Sequence, residues 1–329
     1  MNILVAGGAG FIGSHLCESL LGDGHRVICM DNFSTGRRGN VRHLASDARF
    51  ELVEHDLIEP LPKDWDVQAV FNLASPASPV GYLRTPIETA LVNSQGTYHL
   101  LSLAERHHAC FLQASTSEVY GEPLVHPQSE SYWGNVNPHG PRACYDEGKR
   151  FAEALTMDFH RVYNTDVRLI RIFNTYGPRS QHDDGRVVPN FIWKALHDLP
   201  LPIFGDGQQT RSFCYVDDLV RGIRAAVFGQ DTTAGVFNLG NPEEVTLLDL
   251  ADEVLRLTSS KSSLEFYPPR EDDPTRRQPD ISRAKAQLGW TPTVPLDEGL
   301  RRTIDWFKLS SGAPSRLAEP VAVELGQAA

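Results

Sequence analysis

Tyr145 and Lys149 stand four residues apart at the start of a predicted helix over residues 145–163. Side chains four positions apart share one face of a helix, so the lysine ammonium should lie beside the phenol. A neighbouring positive charge favours the phenolate and lowers the pKa of a tyrosine, which is about 10 when unperturbed. The pair therefore predicts a general base that removes a proton from a hydroxyl group near neutral pH.

Polar side chains follow the predicted strand over residues 110–114. Ser115, Thr116, Ser117 and Glu118 come directly after it, so hydroxyl groups and a carboxylate should emerge at the carboxyl edge of a sheet. That edge is where open α/β folds bind their ligands. We expect these side chains and Tyr145 to face one cleft.

A third motif lies at the beginning of the chain. Gly7, Gly10 and Gly13 have the spacing G-x-x-G-x-x-G between a predicted strand over 2–6 and a helix that begins at Phe11. Glycines allow a tight turn in which a pyrophosphate can approach the backbone amides and the positive end of the helix dipole. This context predicts a dinucleotide site.

Asp31 ends the second predicted strand, 18 residues after Gly13. An acidic residue there can bind the adenosine ribose hydroxyls and repel a 2′-phosphate, which favours NAD over NADP. Arg37 and Arg38 weaken this prediction, because arginine is the residue that accommodates the extra phosphate. Asp56 either contacts the adenine or is a simple loop residue.

These residues need a scaffold of alternating strands and helices. The predicted strands cover residues 2–6, 26–30, 69–73, 110–114 and 167–172, and the predicted helices cover 11–24, 86–106 and 145–163. This order predicts an α/β fold, a Rossmann-type doubly wound parallel sheet with a smaller C-terminal substrate-binding domain. We expect residues 1–175 to bind the dinucleotide, with some later segments returning to that domain, 176–308 to bind substrate, and 309–329 to form a flexible tail.

Composition excludes several classes of protein. The 329 residues carry 42 acidic and 31 basic side chains, and the net charge of -11 opposes binding to nucleic acid or anionic lipid. The five cysteines have no metal or redox spacing, the twelve histidines form no ligand cluster, and no signal peptide or bilayer span is recognisable. We therefore expect a cytoplasmic protein with no metal, no nucleic-acid partner and no membrane segment.

Together, the glycine turn, the ribose-binding Asp31, the Ser/Thr cluster and Tyr-x-x-x-Lys resemble the extended branch of the short-chain dehydrogenase/reductase superfamily. Longer segments are similar to the UDP-glucuronate decarboxylase family, and this resemblance covers residues 1 to about 308. The segments that carry it are 31–37, 73–79, 115–121, 140–150, 171–179, 185–188, 209–213 and 272–280.

The resemblance implies roles for the chemical residues. Tyr145 matches the base of the family, Lys149 its partner, and Thr116 the hydroxyl that positions the C4 oxygen of the sugar. Glu118 matches a second catalytic group, which related 4-epimerases usually lack. Ser117 takes the place of an aspartate that is the acid for water loss in related 4,6-dehydratases, so the resemblance disfavours dehydration.

The resemblance also implies two sets of binding residues. A UDP-sugar acid carries a diphosphate and a carboxylate, which arginine forks match. The residues expected to bind substrate are Pro76, Tyr82, Asn174, Asn190, Arg211 and Arg277, of which Arg277 is also expected to reach the catalytic centre. The residues expected to bind NAD are Gly7, Gly10, Phe11, Ile12, Gly13, Asp31, Asn32, Phe33, Thr35, Gly36, Asp56, Leu57, Leu73, Ser75, Ser115, Tyr145 and Lys149.

The implied reaction is the NAD-dependent decarboxylation of UDP-glucuronate to UDP-xylose and CO2 through a 4-keto intermediate, with NAD regenerated. The alternatives are a UDP-glucuronate 4-epimerase, a decarboxylase that releases a UDP-4-keto-pentose, and a non-catalytic NAD-binding sensor or scaffold. Relatives of this type are homodimers formed through paired helices. The apolar stripe of helix 145–163 either forms such an interface or packs on its own sheet.

Overall fold

The computed structural model describes residues 1–268 and 276–310. The expected tail beyond Ser310 lies outside the described residues, as do residues 272–275 of the last matching segment. None of the helices within these two ranges combines the length and the apolar composition needed to cross a lipid bilayer.

A seven-stranded parallel sheet forms the centre of the molecule, in the order β11-β6-β5-β4-β1-β2-β3. The strands of the described chain are β1 Asn2–Ala6, β2 Arg26–Asp31, β3 Phe50–Glu54, β4 Ala69–Asn72, β5 Cys110–Thr116, β6 Val167–Ile172, β7 Thr175–Tyr176, β8 Leu201–Phe204, β9 Thr210–Ser212, β10 Cys214–Tyr215, β11 Gly235–Leu239, β12 Glu244–Thr246, β13 Leu264–Tyr267 and β14 Arg276–Arg277. Strands such as β1 and β4 are apolar throughout most of their length because both faces of the sheet are covered. The predicted α/β fold with a doubly wound parallel sheet is confirmed.

Helices pack on both faces of this sheet and divide its core into two apolar clusters. One face carries α1 and α8, and the other carries α5 and α6. The helices of the described chain are α1 Phe11–Gly22, α2 Arg38–Val41, α3 Pro79–Arg84, α4 Pro86–Leu91, α5 Thr97–Arg106, α6 Ala143–Tyr163, α7 Val187–Leu196, α8 Val216–Phe228, α9 Leu247–Thr258, α10 Ser282–Leu288 and α11 Leu296–Ser310.

The prediction of one continuous helix over residues 86–106 is wrong in one respect. A π-helical turn over Val92–Gly96 separates α4 from α5. Within it, the Asn93 amide donates to the Thr89 carbonyl oxygen and to the Ser75 hydroxyl, which lies on the loop after β4. The wider turn brings the helix into contact with that loop, and π-turns of this kind are frequent at functional sites.

Beyond β7 the chain builds smaller sheets. Strand β9 pairs with β12 and β14, β8 pairs with β13, and β10 pairs with β7. Strand β11 instead returns to the central sheet and pairs with β6, so residues after 176 contribute to both parts of the fold. The carboxyl ends of the central strands therefore face the segments that follow β7.

Candidate active site

A cavity of about 630 Å³ opens at the carboxyl ends of the central strands. Its walls come from the β1–α1 turn, the ends of β2, β4 and β5, the first turns of α6, and a segment that precedes α7. Crevices at this edge, close to the point where the strand order reverses, are the ligand sites of open α/β sheets. The sequence motifs at 7–13, 115–118 and 145–149 meet in this cavity.

The glycine turn closes so tightly that side chains cannot enter it. Gly7 has a φ of +72°, and a Cβ atom there would lie 2.8 Å from the Leu73 carbonyl carbon. A Cβ atom on Gly13 would overlap the carbonyl oxygen of Gly7. Gly10, the N-cap of α1, provides no side chain to bind the first amides of the helix. The turn thus has the bare backbone and exposed helix end that a pyrophosphate requires.

Asp31, at the end of β2, stabilises this turn by accepting hydrogen bonds from backbone amides. Its Oδ2 accepts the Ala9 amide at 2.9 Å and its Oδ1 accepts the Phe33 amide at 2.8 Å. Burial nevertheless raises the pKa of Asp31 above its ordinary value. A Cβ atom on Gly36 would lie 2.6 Å from Oδ1, so a glycine there leaves room for the carboxylate.

The two arginines beside this site already contact acidic partners. Arg38 pairs with Glu54, and Arg37 lies 3.8 Å from Asp183. Neither arginine lines the cavity. The structure thus gives no support to the reading in which these arginines bind a 2′-phosphate.

Tyr145 and Lys149 lie together on the first turns of α6, as predicted, and both are buried. The Tyr145 phenol shares a hydrogen bond with the Thr116 hydroxyl, and its ring stacks on Tyr82 with the centroids 5.0 Å apart. Lys149 Nζ donates to the Ala114 carbonyl oxygen at 3.0 Å and lies 5.8 Å from the centroid of the Tyr145 ring. The phenol and the Thr116 hydroxyl therefore face the cavity as a pair.

The pKa of this tyrosine differs from the expectation. Burial raises the pKa of Tyr145 above its ordinary value and lowers the pKa of Lys149 to about 7. The expected lowering of the phenol pKa is therefore wrong. The prediction used the proximity of Lys149 alone, whereas removal from water disfavours both the phenolate and the ammonium.

Glu118 lies at the opposite side of the catalytic centre, on the short 3-10 turn Ser117–Tyr120 after β5. Its Oε1 accepts Arg277 Nη1 and its Oε2 accepts Arg142 Nη2. Burial alone would raise the pKa of Glu118, but the two guanidinium groups hold it below its ordinary value. Glu118 is accordingly an ionised carboxylate at neutral pH.

Asp146 is a second carboxyl group close to Arg142, and its pKa is shifted in the opposite direction to that of Glu118. Together, Glu118, Asp146, Arg142 and Arg277 form a charged cluster. Asp146 is 8% exposed, its Oδ2 lies 3.8 Å from Arg142 Nε, and its Oδ1 has no partner in the described part of the chain. Burial, followed by repulsion from Glu118, raises the pKa of Asp146 to about 7. Two carboxyl groups on either side of one arginine therefore differ in charge near neutral pH.

Most of the residues predicted for the site line the cavity. These are Gly7, Gly10, Phe11, Ile12, Gly13, Asp31, Asn32, Thr35, Asp56, Leu57, Leu73, Ser75, Pro76, Tyr82, Ser115, Thr116, Ser117, Glu118, Tyr145, Lys149 and Asn174. Five predicted residues do not line it: Phe33, Gly36, Asn190, Arg211 and Arg277.

The five remaining residues have other surroundings. Phe33 lies under the Arg38 guanidinium at 4.1 Å, and the Asn190 amide donates to the His182 carbonyl oxygen at 3.3 Å. Arg277 pairs with Arg211 across the β9–β14 ladder and reaches the catalytic centre only through Glu118. Its Nε and Nη2 atoms have no partner among the described residues.

Sequence reasoning missed two members of the charged cluster, Arg142 and Asp146. Both lie in the matching segment 140–150, and Asp146 directly follows the predicted base. The signal that could have found them is helical spacing, since Arg142 and Asp146 stand four residues apart. The described residues contain no group of three or more His, Cys, Asp or Glu side chains arranged to hold a metal ion.

A strap, residues 178–186, crosses from the region after β7 to the dinucleotide side of the cavity. His15 Nε2 lies 2.9 Å from the Pro178 carbonyl oxygen, and the Gln181 amide donates to the Thr35 carbonyl oxygen at 2.6 Å. Further contacts join Arg179 to Glu18, Asp183 to Arg37, and Arg186 to the ring of Phe11. The strap therefore links the sugar side of the protein to α1 and to the loop after β2.

Comparison with known families places the whole described core in one group. The family model of GDP-mannose 4,6 dehydratase matches residues 4–303. The chain is 53% identical over 308 residues to UDP-glucuronic acid decarboxylase 1 of Arabidopsis thaliana, covering 94% of this chain and 70% of that relative. It is 52% identical to UDP-glucuronic acid decarboxylase 1 of Danio rerio, covering 93% of this chain and 72% of the relative. UDP-glucuronic acid decarboxylase 6 of Arabidopsis thaliana is 50% identical, with 96% and 91% covered.

Solved structures share the fold at lower identity. UDP-glucose 4-epimerase from Thermotoga maritima, solved with UDP-glucose, is 31% identical with a TM-score of 0.85 and covers 94% of this chain and 100% of its own. UDP-glucuronic acid 4-epimerase from Bacillus cereus, solved with UDP-glucuronic acid and NAD, gives the same identity, TM-score and coverage. By sequence relationship and by fold, the chain belongs to the UDP-glucuronic acid decarboxylase family within the extended short-chain dehydrogenase/reductase superfamily.

Proposed function

We propose that this chain is an NAD-dependent carboxy-lyase that converts UDP-glucuronate to UDP-xylose and CO2. The observation that carries the proposal is one cavity that joins the Tyr145–Thr116 hydrogen bond to an ionised Glu118 held by two arginines. The Tyr145–Thr116 pair suits the oxidation of a hydroxyl group, and the arginines around Glu118 suit a substrate with a carboxylate. The curated relatives at about half identity carry the name of this activity.

The dinucleotide side of the cavity fits NAD. The glycine turn leaves the backbone open where a Cβ atom would collide, and Asp31 lines the cavity at the end of β2. We propose that Gly7, Gly10 and Gly13 hold the pyrophosphate and that Asp31 binds the adenosine ribose. When bound, NAD supplies the reversible oxidation of the C4 hydroxyl group of the sugar to a ketone.

Tyr145 and Thr116 handle the C4 oxygen. We propose that Tyr145 accepts the proton of the C4 hydroxyl group as a phenolate, a form that the positive charge of bound NAD would favour, while Thr116 fixes the phenol by the hydrogen bond described above. A ketone at C4 places the C5 carboxylate in the β position, so its C–C bond can break to release CO2 and leave an enolate. The protonated Tyr145 and Thr116 then donate hydrogen bonds to the enolate oxygen and stabilise its charge.

Glu118 is ionised, so it does not donate the proton that C5 must gain. We place it instead as the acceptor that orients a water molecule toward C5; the water delivers the proton, and the hydroxide that remains takes up a proton from solvent. The arginines on its two oxygens keep it in this state. Ser117 lines the cavity beside it and cannot replace the acid of a dehydratase, because an alcohol is too weak an acid for that role.

The strap favours the full cycle over release of a UDP-4-keto-pentose. Its contacts with His15, Thr35 and Arg37 close the dinucleotide side of the cavity. A cofactor held beneath it stays in place between the two redox steps, which regenerates NAD. The epimerase alternative is less well supported, because the named epimerases are about 31% identical and the named decarboxylases about 50%.

The remaining proposals concern organisation. Residues 1–175 together with β11 form the NAD-binding part, and the rest of 176–308 forms the UDP-sugar part. Asn174 lines the cavity between them, whereas Asn190, Arg211 and Arg277 are proposed substrate residues that do not line it. We propose a homodimer through α4, α5 and α6, because exposed apolar side chains lie on these helices: Ile87, Leu91, Tyr98, Phe151, Val162 and Tyr163. The five cysteines are free thiols, which suits a reducing cytoplasm.

The test is to incubate the purified protein with UDP-glucuronate without added NAD and to identify products by mass spectrometry and proton NMR. UDP-xylose and CO2 are the expected products, and their formation without added cofactor means that NAD copurifies. Release of a 4-keto pentose would replace the full cycle by the shorter one. Unchanged mass with inverted C4 would make the protein an epimerase, and no reaction after NAD is added would overturn the proposal.

A further inference from the structure

An ion pair between α6 and β6, formed by Glu153 and Arg171, lies one helical turn from Lys149. Lys149 and Glu153 stand four residues apart on α6, a spacing at which lysine and glutamate side chains can pair with each other. In the described part of the chain, however, no ion pair joins them. Lys149 Nζ donates instead to the Ala114 carbonyl oxygen at 3.0 Å. The carboxylate of Glu153 therefore has other partners.

The main partner of this carboxylate is Arg171. Its Nε donates to Glu153 Oε1 at 2.9 Å and its Nη2 donates to Oε2 at 2.7 Å, so the guanidinium binds both oxygens. The Ser115 hydroxyl donates to Oε1 as well, at 2.5 Å. Ser115 and Arg171 are partners in the β5–β6 register, and their side chains thus lie on the same face of the sheet. Bidentate pairs of this kind are strong and fix the orientation of both side chains.

Arg171 is itself held from its other side. Its Nη1 donates to the Tyr120 hydroxyl at 3.0 Å and to the Glu130 carbonyl oxygen at 3.2 Å. The Tyr120 hydroxyl in turn donates to Asn238 Oδ1 at 2.7 Å. The side chains of Arg171 and Glu153 are only 12% and 13% exposed, so water competes little for their hydrogen bonds. The carboxylate of Glu153 therefore has little freedom to turn toward the neighbouring lysine.

Glu153 nevertheless acts on Lys149 from this position. Burial lowers the pKa of Lys149 to about 7, and the negative charge of Glu153 opposes part of that lowering. The titratable groups that face Lys149 are Tyr145 and Glu153 on α6 itself and, through Glu153, Arg171 on β6. Within the described residues, α4, α5 and β5, which also pack against α6, place no further charge on Lys149.

We propose that Arg171 and Glu153 are positioning residues for Lys149: the arginine holds both oxygens of the carboxylate, so that the lysine stays on β5 and faces the cavity. An ammonium group has three hydrogen atoms to donate, and the Ala114 carbonyl oxygen takes one of them. A ligand in the cavity that Lys149 lines can accept from the same nitrogen. A direct pair with Glu153 would instead turn the lysine away from Tyr145, whose ring centroid lies 5.8 Å from Nζ. This inference rests on the proposed function, because it concerns the base of that site.

The two halves of the ion pair should have opposite effects on Lys149. Loss of the charge of Glu153 lowers the pKa of Lys149, because the carboxylate that favours the ammonium is gone. Turnover that needs the charged lysine is then lost at a lower pH. Loss of the charge of Arg171 leaves the carboxylate of Glu153 without its counter-ion, which raises the pKa of Lys149 and moves that loss to a higher pH. Residues that only stabilise the fold would reduce activity at every pH and shift neither profile.

The experiment measures kcat for UDP-glucuronate between about pH 6 and pH 9, with the NAD-loaded protein and saturating substrate. Relative to the wild type, the alkaline limb of the profile should move down by about one pH unit in Glu153→Gln and up by a similar amount in Arg171→Gln. Both replacements keep a side chain that forms hydrogen bonds. Glu153→Asp keeps the charge and should leave the limb near its wild-type position.

The matched control is Asp166→Asn, which removes a carboxylate from Arg168, the other arginine of β6. It should leave the profile unchanged. Reduced kcat with an unshifted limb in both Glu153→Gln and Arg171→Gln would indicate a purely structural role and overturn the inference. If the melting temperature shows that Arg171→Gln does not fold, Glu153→Gln is compared with Glu153→Asp, and a limb at the same pH in these two variants overturns the inference.

Absence of UDP-xylose from the wild-type reaction is a different result, because it contradicts the proposed function. The inference is then tested by NMR titration of ¹³C-labelled lysine side chains in the same variants. Opposite shifts of the Lys149 pKa in Glu153→Gln and Arg171→Gln would support the positioning role, and an unchanged Lys149 pKa in both would overturn it.

Discussion

The dinucleotide side and the sugar side of the cavity are built by different means. The first uses bare backbone: a glycine turn, the end of α1, and Asp31 fixed by two amides. The second uses charged side chains that arrive from β5, the start of α6 and β14 and that already pair with one another. Ligand binding on the dinucleotide side thus depends on the space that the backbone leaves, whereas binding on the sugar side depends on a balance of charges that a ligand can change.

The largest effect is expected from a substitution that changes the shape of the dinucleotide side. Gly13→Ala places a Cβ atom on the Gly7 carbonyl oxygen, so the turn must shift and the protein should lose its copurified NAD and all turnover without added cofactor. The absorbance ratio at 260 and 280 nm and the melting temperature measure both effects. The control is Gly22→Ala on the same helix, where a Cβ atom would have no neighbour within 4 Å. This variant should retain NAD. Equal loss in both variants would contradict the assignment of the turn.

Tyr145→Phe tests the point where the two sides meet. Phenylalanine keeps the stack on Tyr82 but cannot accept the C4 hydroxyl proton, so kcat should fall about 10²- to 10⁴-fold. NAD content and UDP binding should remain at wild-type levels. Turnover within tenfold of the wild type would assign the base elsewhere.

Glu118→Gln changes the charge balance of the sugar side without altering its shape. Turnover should fall about 10²-fold because the neutral amide oxygen of glutamine holds the water less strongly than a carboxylate does, while NAD stays bound. UDP-glucuronate should bind more tightly, since its carboxylate then no longer meets the negative charge of Glu118 in the cavity. Rapid-quench kinetics and calorimetry separate the two effects, and weaker binding would contradict the charge argument.

The smallest effect is a pH dependence due to Asp146, whose pKa is about 7. Below that pH Asp146 is neutral, whereas above it a second carboxylate is present beside Arg142 and adds to the negative charge of Glu118. Of the groups that face it, Glu118 stays ionised and Tyr145 stays neutral over this range. KM for UDP-glucuronate should therefore rise several-fold between pH 6 and pH 8.

Asp146→Asn stays neutral and should abolish this rise. KM for UDP-glucose is the internal control, because titration of Lys149, whose pKa is also about 7, would affect both sugars. A pH profile that is the same in Asp146→Asn and in the wild type would exclude Asp146 as its source.

The same contrast explains how far sequence reasoning reached. The glycine turn, Asp31 and the Tyr145–Lys149 pair were predictable because each depends on residues close together in the chain. The link between Glu118 and Arg277 spans 159 positions, and family resemblance, not spacing, brought Arg277 to attention. The pKa of Tyr145 was predicted in the wrong direction because burial is a property of the tertiary structure.

The break in the helix over 86–106 is a similar case. Its periodicity predicted one continuous helix, but the helix has a π-helical turn in which Asn93 donates to Ser75 on a separate loop, a contact that the local sequence does not reveal. Arg142 and Asp146 lie in a matching motif at helical spacing, but only the folded chain shows that Arg142 lies between the carboxyl groups of Glu118 and Asp146. Local sequence patterns therefore predict where the helices and strands lie, whereas the charge states of the site residues depend on contacts between residues far apart in the chain.

The strap over residues 178–186 has a consequence for the working life of the enzyme. Because it is anchored on α1 and on the loop after β2, a cofactor bound beneath it would exchange only when those contacts break. A molecule that releases its ketone product before the second redox step is then left with reduced cofactor and drops out of the active population. Activity would decline during turnover in proportion to such errors, and the surrounding ratio of NADH to NAD would have little influence on any single cycle.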